Sequence, residues 1–142
     1  MLMHQDRPLA EPMITPENQE FFAATAVGKF LLRRCHSCNK PHYYPRNICP
    51  LCGSDQTEWF EAGTSTGAGV AKQVTGEIYS FSVLRKGVEI PYCIAYVTLP
   101  EGVTVLSNIV DCDFDTVRIG QKVKLCFKAA AKGTMLAMFT PA

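Results

Sequence analysis

Two Cys-x-x-Cys pairs, Cys35/Cys38 and Cys49/Cys52, stand ten residues apart in CHSCNKPHYYPRNICPLCG. A knuckle of this spacing turns tightly enough to bring two sulfurs to one ion, and two knuckles complete a tetrahedral shell. Asn39 and Gly53, directly after the second cysteine of each pair, suit that turn. With protein filling all four positions, none remains for water or substrate, so the expected ion is a structural zinc. Iron is the rival, because CPLCG also reads as an iron-binding rubredoxin knuckle, and some iron uptake on expression is expected. A thioredoxin-like redox role needs one pair in a βαβ setting, not two in tandem. The metal has a plain purpose: a segment this poor in large apolar side chains cannot build a core, and ligation supplies the missing folding free energy. His36 and His42 are spare beside four thiols and are expected to be exposed loop residues.

The rest of the composition narrows the class. Of 142 residues, 47% are hydrophobic and 19% charged, which is globular and not disordered. The formal net charge of +1 speaks against a broad positive field for nucleic acid. The longest nearly apolar run, YCIAYVTL, is far short of the roughly 20 residues a spanning helix needs, so no membrane insertion is expected. The N-terminus has no apolar core behind a basic start and does not read as a secretory signal. A cytoplasmic setting follows as the expectation, where cysteine pairs mark metal or redox chemistry more often than disulfides. The odd count of seven cysteines fits that view, and Cys93, Cys112 and Cys126 read as small buried residues in or beside β segments.

Along the chain, residues 1–14 carry prolines at 8 and 12 and read as an extended, loose arm. Residues 15–28 carry helix punctuation: Thr15 to cap, Pro16 at the first position, Gly28 to stop. The aromatic face of this short helix, Phe21 and Phe22, must dock either on its own domain or on a partner subunit. Residues 29–34 read as a strand leading into the first knuckle. From Glu77 onward EIYSFSVL, YCIAYVTL, VTVLSNIV, KVKLCF and TMLAMF read as five strands of a sandwich or small barrel. The acidic connection 111–121 has room for one helical turn. Residues 62–76, rich in Gly, Ser and Thr, read as a mobile loop or an elongated hairpin, and they match neither the P-loop nor the dinucleotide fingerprint.

These residues together resemble a known family, the domain of unknown function 35 (DUF35). The resemblance runs from about Asn18 to Phe139. It rests on FFAATAVGKFLLRRCHSCNKPHYYPRNICPLCGS, WFEA, IYSFSVLRKG, PYCIAYVTLPEGVTVLSNIVDCD and VRIGQKVKLCF. It implies a mainly β protein: a short N-terminal helix, a rubredoxin-like zinc ribbon over 29–58, then a five-stranded OB-fold barrel over 59–142. The ligands it implies are Cys35, Cys38, Cys49 and Cys52. It also implies a non-catalytic accessory role beside a thiolase-fold enzyme, or a hydratase or aldolase acting on acyl-CoA esters, with help in holding the acyl-CoA. The 62–76 loop is longer than the family's short turn.

Little in the sequence could run chemistry alone. No histidine follows His42, so the barrel offers no imidazole to a Ser or Cys nucleophile, and no catalytic residue is assigned. Glu77, Glu89, Glu101, Asp111, Asp113 and Asp115 fall at strand ends or turns and read as solvated. Binding is the better prospect. Arg33, Arg34, Lys40 and Arg46 lie among Phe30, Tyr43 and Tyr44, with Arg85 and Lys86 a second basic spot. Cations beside rings suit the nucleotide end of coenzyme A. The same pattern suits single-stranded nucleic acid, which is the alternative reading. A partner is expected on Phe21 and Phe22 or on barrel-face residues such as Tyr79 and Phe81.

Overall fold

The structure, a computed structural model, describes residues 7–142; the first six positions of the expected arm lie outside the described residues. It is mainly β, with one short helix, a four-cysteine ribbon and a closed five-stranded barrel. The ribbon is a three-stranded antiparallel sheet ordered β2-β1-β3, from β1 (Leu31–Cys35), β2 (Pro41–His42) and β3 (Thr57–Glu61). The barrel is ordered β4-β5-β6-β8-β7, from β4 (Thr75–Leu84), β5 (Tyr92–Thr98), β6 (Thr104–Ile109), β7 (Lys122–Ala129) and β8 (Met135–Pro141). Closure decides between the two β architectures left open by the strand pattern: it is a barrel.

The helix α1 spans Gln19–Thr25. Its start is the capping arrangement the sequence implied. Thr15 N–H donates to Asn18 Oδ1 at 2.7 Å and Asn18 N–H donates back to Thr15 Oγ1 at 3.3 Å, so two otherwise orphaned donors are satisfied. Gly28, at φ +80°, stops it. The imperfect alternation of β4 has a physical cause. A bulge between Ile78 and Ser80 leaves Ile78 inside, turns Tyr79 out to solvent and resumes the pairing at Ser80 opposite Tyr96. The acidic connection holds a single 3₁₀ turn, Phe114–Thr116, capped by Asp113 accepting from the Asp115 N–H at 3.0 Å.

Ribbon, helix and barrel share one core. Phe21, Phe30, Leu32 and Ala62 bury against Ile78, Val97, Val105, Ile109, Val123 and Phe139. The arm is not loose where it is described. The Arg7 guanidinium lies 3.8 Å from the Tyr92 ring centre, Leu9 C=O accepts from Ala131 N–H at 3.1 Å, and Glu11 accepts from Lys132 N–H at 2.8 Å and from the Thr134 hydroxyl. The glycine-rich segment is a hairpin at its base. Thr64 and Gln73 exchange both backbone hydrogen bonds at 2.8 and 2.9 Å, while Glu101 accepts from Gly63 N–H at 2.7 Å and Glu61 from Lys72 N–H at 3.0 Å. Gly63 is required there: its φ is +104° and a Cβ would meet Gln73 O at 2.4 Å. Gly63→Ala is therefore expected to lower stability by roughly 1–3 kcal/mol, read as a shift in the urea unfolding midpoint, whereas Gly69→Ala at the open tip should cost less.

Candidate metal centre and binding surfaces

The knuckles are built as the residue pattern requires. Asn39 and Gly53 both take left-handed φ, +56° and +79°, and the backbone folds back so that Cys35 N–H donates to Lys40 O at 3.0 Å and Cys49 N–H to Ser54 O at 2.8 Å. The Ser37 and Ser54 hydroxyls, 2.7 Å apart, tie one knuckle to the other. All four Sγ atoms lie within 4.8 Å of one another, with Cys35 to Cys52 at 3.6 Å and Cys38 to Cys49 at 3.8 Å. A tetrahedral ion bound by thiolates at about 2.3 Å needs sulfur–sulfur edges of about 3.8 Å. Two edges match that length and the rest lie within an ångström of it, so the donor set fits a metal-binding site. N–H groups of Cys38 and Ser37 aimed at Cys35 hold its thiol down to about 6, so a thiolate is favoured even before an ion neutralises it. Cys49→Ser is expected to lower the metal retained per chain after dialysis, measured by inductively coupled plasma mass spectrometry, and to lower the melting temperature with it.

The two spare histidines differ. His36 is exposed, its Nε2 3.1 Å from Glu58 Oε1. His42 is not an exposed loop residue: it is 4% exposed, sits opposite Arg33 in the β1/β2 pair, and neither ring nitrogen has a hydrogen-bond partner among the described residues. Burial, then the positive charges of Arg33 and Arg46, lower its pKa. The unfolded chain therefore takes up this proton first as pH falls. The contribution is intact above about 6.5, the ordinary histidine value, and is lost as pH falls through the depressed folded value. His42→Phe is expected to flatten this part of the stability–pH curve, measured as urea midpoints between pH 7.5 and 5.

The cations do not converge on one patch. Arg33 is a correction: it is buried, donating to Thr57 O and Oγ1 at 2.9 Å each, with its guanidinium 4.5 Å from the Trp59 ring centre. It is spent inside the ribbon. Its neighbour Arg34 lies on the other face of β1, 5.1 Å from the Phe60 ring centre. Lys40 and Arg46 are exposed on the ribbon; Lys86 is exposed beside Arg85, which pairs with Asp115 at 2.6 Å. Several carboxylates are likewise engaged, Glu77 with Lys122 at 2.9 Å and Asp111 with Lys128 at 2.5 Å. Cys93 is buried, and burial pushes its thiol and that of half-buried Cys126 up to about 11.

Phe21 is the second correction. It is 2% exposed and packs edge-on against Phe22, Phe30 and Tyr43 at 5.1, 5.8 and 5.9 Å, so it belongs to the chain's own core and offers no surface. Phe22 and Phe81 are half-buried and Tyr79 is exposed. The structure adds residues that pattern reading missed. Strands β6 and β8 pair in parallel at Ile109 and Phe139, and before that pair the Ser107 hydroxyl bridges to Ala137 O at 2.9 Å. Over this seam sit α1 and the Tyr43–Tyr44 turn, bordering an open cavity of about 250 Å³ whose lining includes Phe22, Tyr44, Leu106, Asn108 and Met138.

A four-cysteine ribbon joined to a closed five-stranded barrel defines a metal-binding ribbon and OB-fold protein. Residues 22–58 match the family profile of the ChsH2 rubredoxin-like zinc ribbon domain, and residues 70–128 that of the ChsH2 C-terminal OB-fold domain. A DUF35 domain-containing scaffold protein of Methanothermobacter thermautotrophicus is 33% identical over 103 residues, covering 67% of this chain and 68% of that one. A probable enoyl-CoA hydratase alpha subunit of Thermomonospora curvata is 32% identical over 135 residues, covering 92% of this chain; this chain spans 39% of that relative's length. A solved structure described as Ltp2-ChsH2(DUF35) aldolase superposes with a TM-score of 0.72 at 30% identity, covering 92% of this chain and 98% of the matched one. The chain belongs to the DUF35 family. No helix among the described residues is long and apolar enough to cross a membrane.

Proposed function

We propose that this chain is a non-catalytic accessory subunit that docks on an acyl-CoA-processing enzyme of the thiolase fold, or on a hydratase or aldolase, and helps to hold the acyl-CoA. The observation that carries the reading is the match to a chain of the Ltp2-ChsH2(DUF35) aldolase structure along 98% of that chain's length. In this reading Cys35, Cys38, Cys49 and Cys52 hold a zinc ion that has no open position and supplies only folding free energy to the ribbon. Half-buried Arg34 and exposed Lys40 and Arg46 are the ribbon cations offered to phosphates in this reading, and the uncharged, aromatic-lined seam suits the thioester end of the ligand. Bond-making would stay with the partner's own residues.

The single-stranded nucleic-acid alternative draws on the exposed Tyr79 and Tyr96 of the barrel. Their strand segments, 79–84 and 92–99, hold no Lys or Arg to meet phosphates. The accessory reading is therefore preferred. Recovery of the tagged chain from its host at moderate salt should bring down a thiolase-fold enzyme, hydratase or aldolase in near-stoichiometric amount. Nuclease-sensitive nucleic acid with no such enzyme would overturn it. In the assembled complex, Arg34→Ala with Arg46→Ala should weaken coenzyme A binding about tenfold by calorimetry, on the order of two partly exposed charge contacts. Unchanged affinity would remove the ribbon cations from the ligand site.

A further inference from the structure

The outer wall of β4, β5 and β6 is not built like a solvated barrel face. Two rows of side chains cross it in register, Ser80–Tyr96–Leu106 and Ser82–Ile94–Asn108. Residues directly opposite share a face, so Ile94, Tyr96 and Leu106 stand together on the outside while Cys93, Ala95, Val97 and Val105 point inward. All three outer residues remain exposed, at 37%, 47% and 53%. Between them lies a dimple of about 160 Å³, lined by Ser80, Phe81, Ser82, Ile94, Tyr96 and Leu106. The segments 79–84, 92–99 and 104–110 contain no Asp, Glu, Lys or Arg. The neighbouring strand β7, which pairs with the start of β4, shows the contrast, carrying Lys122, Lys124 and Lys128.

We infer that this dimple is a socket for one apolar side chain, of leucine, methionine or phenylalanine size, projecting from an uncharged patch on the enzyme subunit to which this chain docks. The inference rests on the accessory-subunit reading and locates its contact. Three observations select this occupant. The wall's lack of charge is complementary to a neutral apolar surface and offers nothing to a polyanion, which a nucleic-acid face would need. The volume suits a single side chain, the buried central anchor around which protein interfaces concentrate their affinity. The exposed parts of Tyr79, Ile94, Tyr96 and Leu106 amount to about 400 Å², given 150–250 Å² for a whole aromatic side chain. That is half of the roughly 800 Å² per side of a stable interface, so a second copy meeting this face alone would be held too weakly. A larger partner could also reach the apolar seam, because Leu106 lines both the dimple and the seam cavity.

The test uses the whole chain and the enzyme recovered with it, whose identity is first fixed by mass spectrometry. Dissociation constants are then measured by biolayer interferometry for the wild type, Leu106→Lys, Leu106→Met, Ser80→Trp and Ile119→Lys. Ser80→Trp fills the dimple from its rim. Ile119 is 71% exposed in the 118–121 turn, is not among the residues lining the dimple, and serves as the control. Leu106→Lys and Ser80→Trp should each weaken binding about 30-fold or more, the loss typical of a central anchor, with Leu106→Met and Ile119→Lys near wild type. Circular dichroism and metal content check folding, and Ser80→Trp decides if Leu106→Lys fails to fold. Wild-type affinity in both socket variants would overturn the socket and leave the accessory reading standing. Failure of the wild type to recover any acyl-CoA enzyme would overturn both. A stable dimer of the chain alone by sedimentation velocity, dissolved by Leu106→Lys, would overturn the inferred occupant in favour of a second copy. Oligonucleotide binding lost in Tyr96→Ala would overturn it in favour of nucleic acid.

Discussion

The aromatic cluster of Phe21, Phe30, Tyr43 and Tyr44 is the contact on which the arrangement of the molecule depends. The ribbon is too small to hold a core and the helix too short to persist alone, so each needs a surface supplied by the others. Phe30 precedes β1, Phe21 belongs to α1, and Tyr43 and Tyr44 follow β2; their rings meet at centroid separations of 5.4–6.2 Å. Each such contact contributes about 0.5–1.5 kcal/mol beyond burial. Together they lock the helix and ribbon as a lid over the β6/β8 seam of the barrel. The seam cavity lies beneath it, lined on one side by Phe22 and Tyr44 and on the other by Leu106 and Met138.

The four cysteines act on the same arrangement from the far end. Their knuckles fix where β1 ends and where the chain returns to form β3, and β1 and β3 carry Leu32 and Phe60 to the shared core. Arg33 belongs to this system rather than to the surface. Its three donated hydrogen bonds go to Thr57, and its flat guanidinium covers Trp59, so a charge that read as available for a ligand is used to join two strands. What is left for binding is a ribbon with dispersed cations and a barrel wall with none. Those two surfaces suit different partners.

The fold class, the ligand set and the order of the elements were legible because each has a local cause. Cysteine spacing fixes knuckles, Thr15 and Gly28 punctuate a helix, and β-rich runs between turn residues give strands. Closure of the barrel was not legible in the strand pattern alone, which left sandwich and barrel open, and came only through the family resemblance, because pairing of β4 with β7 joins residues 45 to 49 positions apart. The same holds for His42 and Arg33, whose burial depends on being opposite each other across β1 and β2. Phe21 and Phe22 are adjacent and chemically identical, yet only the rotation of the helix against the core decides that one is buried and the other half-exposed. The bulge at Tyr79 is an intermediate case: the broken alternation was visible, its geometric cause was not.

The arm's attachment has a consequence for how the chain reaches this state. Glu11 meets its partners Lys132 and Thr134 across 121 and 123 positions, in the hairpin between the last two strands. Contacts of such separation close the largest loops and form late. During synthesis the arm must therefore remain without its seat until β7 and β8 have left the ribosome. Among the described residues, some of the earliest to be made are among the last to be placed.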